Sequence, residues 1–388
     1  MKKGWEIKTI GDVCVSASSN VSQNKLADDE GAYPIFGASG LIKNVSFYHR
    51  DKPYLSIVKD GSGVGRITKM DAYTSIIGTL QYILPKENID LDYLNYSLMS
   101  VDFKKYVAGA AIPHIYFKDY KNEPFLWMPL LEQRRIVAIL DEAFAAIAKA
   151  KANAQQNLQN AKELFDSYLQ GVFENKGEGW EETSLKNEIE LLVGFAFKSK
   201  QYTEYEDDIL LLRGDNIMQG SLRWEDVKRW KKSEFENYQK YQLQQNDIVL
   251  AMDRPWVKAG LKIARLSESD LPALLVQRTA CLRTKSKLEN SFLFHLLKSN
   301  RFMNYLIGVQ TGIGVPHISG QQILDFTFNK PPLKTQQAIV QKLDALSAET
   351  KKLESIYQQK INDLEELKKS VLQKAFSGEL KTEKSFAV

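Results

Sequence analysis

Two long stretches of this 388-residue chain repeat apolar residues at the spacing of one helical face. From Ile136 the apolar positions run through Leu140, Ala143, Ile147, Ala150, Ala154, Leu158, Ala161, Leu164, Tyr168 and Val172. The second stretch runs through Ile339, Leu343, Leu346, Leu353, Tyr357, Ile361, Leu364, Leu367, Val371 and Ala375, with Thr350 as a polar exception. Steps of three and four residues alternate, which is the seam of a coiled coil. Each stretch has one extra four-residue step, near Leu158 and Ile361, which locally relaxes the supercoil. Neither contains Gly or Pro between Leu130 and Gln170 or between Leu333 and Ser377. Pro129 and Pro331-Pro332 mark the starts, and Gly171 and Gly378 are expected to mark the ends. At 1.5 Å per residue, roughly 40 residues make a rod on the order of 60 Å. The first seam is rich in Ala and the second is bulkier, so the two suit each other as an antiparallel pair.

The segments before each helix have a different pattern. Short apolar runs bounded by Gly, Asn and Asp predict strands at Tyr54–Val58, Ser75–Ile77, Gln81–Leu84, Ile209–Leu212, Asp247–Ala251 and Ala280–Arg283. Gly61-Ser62-Gly63-Val64-Gly65 reads as the turn after the first of these, with Arg66 to Lys69 extended behind it. Helices are expected over Leu91–Val107 and Ser291–Ile307. Each body is therefore mixed α/β.

The chain also repeats itself. Pro113-His114-Ile115 returns as Pro316-His317-Ile318, 203 residues later, and the same interval carries Pro129-Leu130, Gln133, Leu140-Asp141, Leu169-Gln170 and Phe173 onto their second copies. The openings Gly4-Trp5-Glu6 and Gly179-Trp180-Glu181 are 175 residues apart, so the second body is longer by 28 residues. The unit is a variable body followed by a constant helix. Trp5 and Trp180, repeated in both halves, are expected to anchor each body.

Composition narrows the class only modestly. The formal net charge is +4, and neither body has a marked excess of basic residues. A nucleic-acid partner would thus need basic residues clustered in space rather than in number. Cys14 and Cys281 have neither disulfide-framework nor metal-ligand spacing, which fits a reducing cytoplasm. No signal-peptide pattern and no membrane-length apolar run is visible, so no membrane partner is expected.

Catalytic chemistry is hard to find. The Gly61–Gly65 turn lacks the Lys-Ser/Thr ending of a phosphate loop and does not lead into a helix, so no cofactor is expected. Asn329-Lys330-Pro331-Pro332 resembles the Asn-Pro-Pro-aromatic motif of amino-methyltransferases, but an inserted Lys and the following Leu333 break its spacing. The repeat makes this segment the entry to the second helix. His49, His114, His295 and His317 have no partners at metal spacing, so no metal is expected. His114 and His317 are expected to make structural loop hydrogen bonds.

The order of variable body, constant helix, variable body and constant helix resembles the specificity subunit of type I restriction-modification enzymes. The resemblance covers the whole chain. It rests on the two openings, the helix entries Met128-Pro129-Leu130-Leu131-Glu132-Gln133 and Pro331-Pro332-Leu333-Lys334-Thr335-Gln336, and the ending Phe376-Ser377-Gly378-Glu379-Leu380. Phe195 to Tyr202 and Leu212-Arg213-Gly214-Asp215-Asn216-Ile217 are similar to segments of its recognition domains. Lys334-Thr335 departs from Leu131-Glu132 and touches only a helix cap.

The resemblance implies an α+β chain with two α/β target-recognition domains in pseudo-two-fold tandem repeat, separated by two long helices that form an antiparallel coiled coil. Its expected parts are residues 1–128 and 177–331 as recognition domains, with 129–176 and 332–388 as helical spacers and tail. The expected function is non-catalytic: reading a bipartite, asymmetric double-stranded DNA target and docking two methyltransferase subunits, with restriction/translocase subunits joining for cleavage. The seam residues Ile136, Leu140, Ile147, Leu158, Tyr168, Ile339, Leu343, Leu346, Leu353, Tyr357 and Leu364 would form the helical pair and docking surface.

Residue types suited to DNA contact flank the predicted strand ends. In the first body they are Lys43, Lys59, Ser62, Arg66 and Lys69. In the second they are Lys198, Lys200, Arg213, Asn216, Arg254, Lys258, Gln277 and Arg278. Trp224, Trp230, Tyr238 and Tyr241 read as core aromatics. A single-chain methyltransferase or nuclease, or an assembly scaffold without sequence readout, would be told apart by methylation assay and by competition between specific and scrambled DNA.

Overall fold

The computed structural model describes residues 4–379 except 110, 175, 259 and 313. Residues 1–3 and 380–388, including Leu380 of the C-terminal string, lie outside the described residues. The chain divides into two compact units, one holding residues up to Gln156 and those from Tyr357 onward, the other Asn157–Ile356.

In the first unit the central strand Tyr54–Val58 is buried along its whole length. It lies between Leu80–Pro85 and Ile67–Met70, with Cys14–Ser18 outside Leu80–Pro85, and all three pairings are antiparallel. Successive side chains of a strand face opposite ways. Leu55 and Ile57 accordingly enter one core with Tyr93, Leu94 and Ile136. Tyr54 and Val58 enter another, with Ile35, Val45 and Ile76 of a three-stranded sheet. Four of its five residues are apolar because both of its faces are covered, and the buried Ser56 donates its hydroxyl to Thr68 O at 3.3 Å. The body's two ends close on each other as Glu6–Thr9 pairs with Pro124–Trp127.

The second unit repeats this plan with different residues. Its four-stranded sheet has the order Ile189–Val193, Thr279–Thr284, Ile248–Ala251 and Ile263–Arg265. Ile248 and Leu250 face the core that holds Phe292 and Leu343, while Val249 and Ala251 face the opposite one. Glu181–Ser184 and Thr327–Lys330 close the body. The bodies that share little sequence thus share their sheet order strand for strand. Trp5 is buried in the first core, and Trp230 packs beside Phe197 as a core aromatic.

Two helix expectations are corrected. The segment from Leu91 is helical only to Met99, and Asp102 then caps a short 3-10 turn at Phe103–Tyr106. The segment from Asn290 is two helices, Asn290–Lys298 and Asn300–Val309, broken at the extended backbone of Ser299.

The long helices span Leu130–Glu174 and Leu333–Phe376. Gly171 therefore lies inside the first helix rather than ending it. A helical Gly costs about 1 kcal/mol relative to Ala, and the burial of Leu169 and Phe173 on either side against the second body outweighs this. Gly378, at φ +82°, does lie just past the second helix. Within the first unit the two helices run antiparallel. Ala375 packs in one core with Ile136 and Leu140, the Lys368 ammonium lies 5.2 Å from the centre of the Phe144 ring, and Lys151 meets Glu365 at 2.7 Å. In the second unit Leu343 packs in one core with Leu169 and Phe173.

Along the expected seam, Ile136, Leu140, Ile147, Leu158, Ile339, Leu343, Leu346, Leu353, Tyr357 and Leu364 are buried or half-buried. Beyond Ala161 it shifts by one residue. Leu164 and Tyr168 are exposed, while Phe165 and Leu169 turn inward. Leu367, the second copy of Leu164, is exposed in the same way, so the shift is part of the repeat. Tyr168 is thus corrected from the helical seam to the surface. Thr350 is buried and donates its hydroxyl to the carbonyl of Leu346 at 2.9 Å, which satisfies it within the helix.

Candidate nucleic-acid interface

In each body the central strand runs out into a loop that is zipped to the Pro-His-Ile segment. In the second body Ile318 N–H donates to Met252 O at 2.9 Å and Arg254 N–H to Pro316 O at 2.8 Å. In the first, Ile115 N–H donates to Lys59 O at 2.9 Å and Gly61 N–H to Pro113 O at 2.8 Å. A third bond ties each loop to the neighbouring strand entry, from Met252 N–H to Arg278 O at 2.9 Å and from Lys59 N–H to Thr79 O at 3.0 Å. His114 and His317 exchange backbone bonds with Ala108 and Thr311, as expected of structural loop residues. The His317 ring also hydrogen-bonds Asp253.

These matched positions carry different side chains. Gly61, at φ +96°, corresponds to Arg254, at φ +45°, and Thr79 corresponds to Arg278, at φ +64°. A non-glycine residue in the left-handed region costs about 1–2 kcal/mol. Such outliers cluster where a side chain is needed for function.

Around Arg254 and Arg278 the second body opens a cleft of about 830 Å³. It gathers Arg213, Arg254 and the adjacent Gln277 and Arg278 from three distant places in the sequence. It also holds Lys228, Lys262, Glu204 and Asp253, which the strand-end pattern does not single out. Three of its cations are held by carboxylates: Arg213 by Asp215 at 3.1 Å, Lys228 by Glu204 at 2.7 Å and Arg278 by Asp253 at 2.7 Å. Among the described residues no carboxylate comes within 4.0 Å of the Arg254 or Lys262 charge. Burial pushes the Lys262 ammonium below its usual range; Asp215 opposes this, and Arg254 and Arg223 reinforce it. Lys198 and Lys200 flank Ser199 at the cleft edge, and Lys258 is exposed near a two-stranded hairpin. Asn216 is corrected from a candidate base contact to a structural residue. It is buried, its side-chain oxygen accepts Arg213 N–H at 3.0 Å, and its amide donates to Arg223 O at 3.0 Å.

The first body's candidates are more dispersed. Lys43 donates to the carbonyls of Leu26 and Ala27 at 3.0 and 3.2 Å, Lys59 pairs with Asp60 at 2.6 Å, and Lys69 pairs with Asp92 at 2.6 Å. Ser62 is exposed on the glycine turn. Arg66 donates to Ala38 O and lines a cleft of about 220 Å³ with Gly37, Ser39 and Gly40.

The family model for the type I restriction modification DNA specificity domain matches residues 2–158 and 177–366. The chain belongs to this family. The two matched segments each contain one body. The MjaVIII specificity subunit of Methanocaldococcus jannaschii is 28% identical over 407 residues, covering 97% of this chain and 93% of that protein. The EcoAI specificity subunit of Escherichia coli is 38% identical over 180 residues, 46% of this chain and 30% of the relative. The fold is shared with the HsdS subunit from Thermoanaerobacter tengcongensis, with a TM-score of 0.62 at 17% identity over 98% of each chain. It is also shared with a chain from a study of complex assembly and conformational transition of the type I R-M system. There the TM-score is 0.74 at 16% identity, over 98% of this chain and 99% of that one.

In this specificity-domain chain the methyltransferase-like string has a structural use. Asn329 pairs across strands with Glu182, Lys330 meets Glu188 at 2.6 Å, and the helix begins at Leu333. Among the described residues no cluster of three potential metal ligands exists. Both cysteines are buried and free, and burial pushes the Cys14 thiol up to about 12. Among the described residues no helix is long and apolar enough to cross a membrane.

Proposed function

We infer that this chain is the DNA-reading subunit of a type I restriction-modification assembly and contributes no catalytic group of its own. The observation that carries this reading is the pairing of one backbone plan with two loop contents. The same sheet order and the same zipped loop occur in both bodies, yet the residues at the loop tips differ. A scaffold needs the sameness, and a reader of two different half-sites needs the difference.

Residues 1–128 and 177–331 each read one half of a bipartite target, and the helices of 129–176 and 332–388 set the gap. Unequal bodies call for an asymmetric target, as identical ones would call for a palindrome. Two methyltransferase subunits dock on the helical pair, restriction/translocase subunits join for cleavage, and the assembly works in the cytoplasm. In the second body Arg213, Arg254, Gln277 and Arg278 form the DNA face, with Lys198, Lys200 and Lys258 at its margin. In the first, Arg66 and the glycine turn with Ser62 approach the backbone, helped by Lys43, Lys59 and Lys69.

The test is competition binding by the chain assembled with its methyltransferase subunits. The proposal expects strong preference for DNA carrying the methylation motif over a scrambled duplex, with affinity that falls steeply with salt as phosphate contacts are lost. Equal competition by scrambled DNA would reduce the chain to an assembly scaffold.

A further inference from the structure

We propose that Arg254 is a specificity-determining residue of the second body and reads a guanine in the half-site that this body contacts. The inference rests on the DNA-reading function proposed above and assigns one base contact within it.

Four observations converge on this residue. Its backbone position suits glycine: the matched Gly61 of the first body makes the same hydrogen bond to the Pro-His-Ile segment and has a positive φ. The second body keeps the backbone and places an arginine there. The loop is also rigid, with Arg254 N–H fixed to Pro316 O at 2.8 Å and a buried Pro255 following. The side chain is exposed on the cleft, and among the described residues no carboxylate holds its charge, whereas Arg213, Lys228 and Arg278 are each held by one. Finally, the neighbouring pair is arranged as support. Asp253 receives Arg278 at 2.7 Å and also bonds the ring of His317, so these groups are occupied with one another next to a guanidinium that is not.

A planar guanidinium with free donors matches the O6 and N7 acceptors of guanine in the major groove, where it makes two parallel hydrogen bonds. A side chain that only neutralised phosphate would not need a rigid, strained base. Free Arg254 on a fixed loop has the requirements of direct readout. In the first body Gly61 offers no side chain, so that body reads its half-site through other groups.

The experiment uses the chain assembled with its methyltransferase subunits, with methylated positions on genomic DNA read by single-molecule sequencing. The half-site belonging to the second body is the one altered when residues 180–316 are exchanged. Arg254→Gly reproduces Gly61 and releases the backbone strain, so folding is retained. Arg254→Lys keeps the charge but loses the planar fork. The expected result is that Arg254→Gly accepts other bases at one G·C position of that half-site. Discrimination there should fall about tenfold or more, with the other half-site and the spacing unchanged. Arg254→Lys should retain methylation at the original site and still relax that same position. An unchanged motif for Arg254→Gly would overturn the proposal. So would a uniform loss of methylation with no change in base preference, the signature of a phosphate contact. A wild-type assembly with no sequence preference would instead defeat the DNA-reading function itself.

Discussion

The side-chain oxygen of Gln133 accepts the backbone N–H of Asp90 at 2.8 Å, and its amide donates to Asn88 O and Met128 O at 2.9 and 2.8 Å. Asp90 in turn caps the helix Leu91–Met99. The second copy repeats the arrangement: Gln336 accepts Glu289 N–H at 2.8 Å and donates to Lys287 O and Pro331 O at 3.1 and 2.9 Å. Both glutamines are fully buried. Each staples a long helix to the capped end of the helix beneath it, so a body cannot rotate on its helix without breaking three bonds. Gln133→Ala leaves three backbone groups unpaired and should destabilise its unit by about 2–3 kcal/mol. Urea unfolding should show the same for Gln336→Ala; a loss below about 0.5 kcal/mol, the size of an ordinary surface change, would mean the staple is idle.

The first body's core is completed by the far end of the chain. Ala375, Val371 and Phe376 pack with Met128, Ile136 and Tyr93. Removing residues from 364 onward should lower hydrogen-exchange protection along Tyr54–Val58 while Ile248–Ala251 keeps its protection. Equal loss in both strands would contradict this division of the core.

A matched pair joins each body to its long helix, with one chemical difference. Tyr96 hydrogen-bonds Asp141 in the first unit, and His295 bonds Asp344 at 2.9 Å in the second. His295 is buried, and its other ring nitrogen has no partner among the described residues. Burial lowers its proton affinity; Asp344 opposes this, and Lys298 and Arg265 add to it. The unfolded chain therefore binds this proton at higher pH than the folded one does, so stability is lost as pH falls below about 6.5. Urea unfolding of the second unit should weaken between pH 7.5 and 5.5, and His295→Gln should flatten that slope. An unaltered slope would assign the pH dependence elsewhere.

The helical pair should act as a ruler. Taking one turn out of each helix near the border between the units, at 154–157 and 357–360, should shorten the gap in the methylation motif and leave both half-site sequences intact. A changed half-site with an unchanged gap would separate helix length from spacing.

The long helices, the central strands and the repeat were legible because each is a periodic signal averaged over many residues. What was not legible depended on single contacts. The seam shift from Leu164 and Tyr168 to Phe165 and Leu169 depends on where the four-residue step is absorbed, and several placements give the same spacing. Gly171 looked like a helix end because local preference favours one; tertiary packing of Phe173 overrides it. Asn216 looked like a base reader by residue type, yet its amide was needed to hold Arg213 N–H. Lys262 and Lys228 carried no signal, since only the fold brings them into the cleft that Arg254 lines. The bodies' common topology was hidden for a related reason: burial asks only that alternate positions be apolar, and many sequences satisfy that.

The two bodies are expected to read independently from a shared scaffold. The most direct measurement is the methylome of an assembly in which residues 180–316 are replaced by the corresponding body of another specificity subunit. One half-site should change completely, while the other half-site and the gap between them stay as they were. A change in both half-sites, or in neither, would contradict the account.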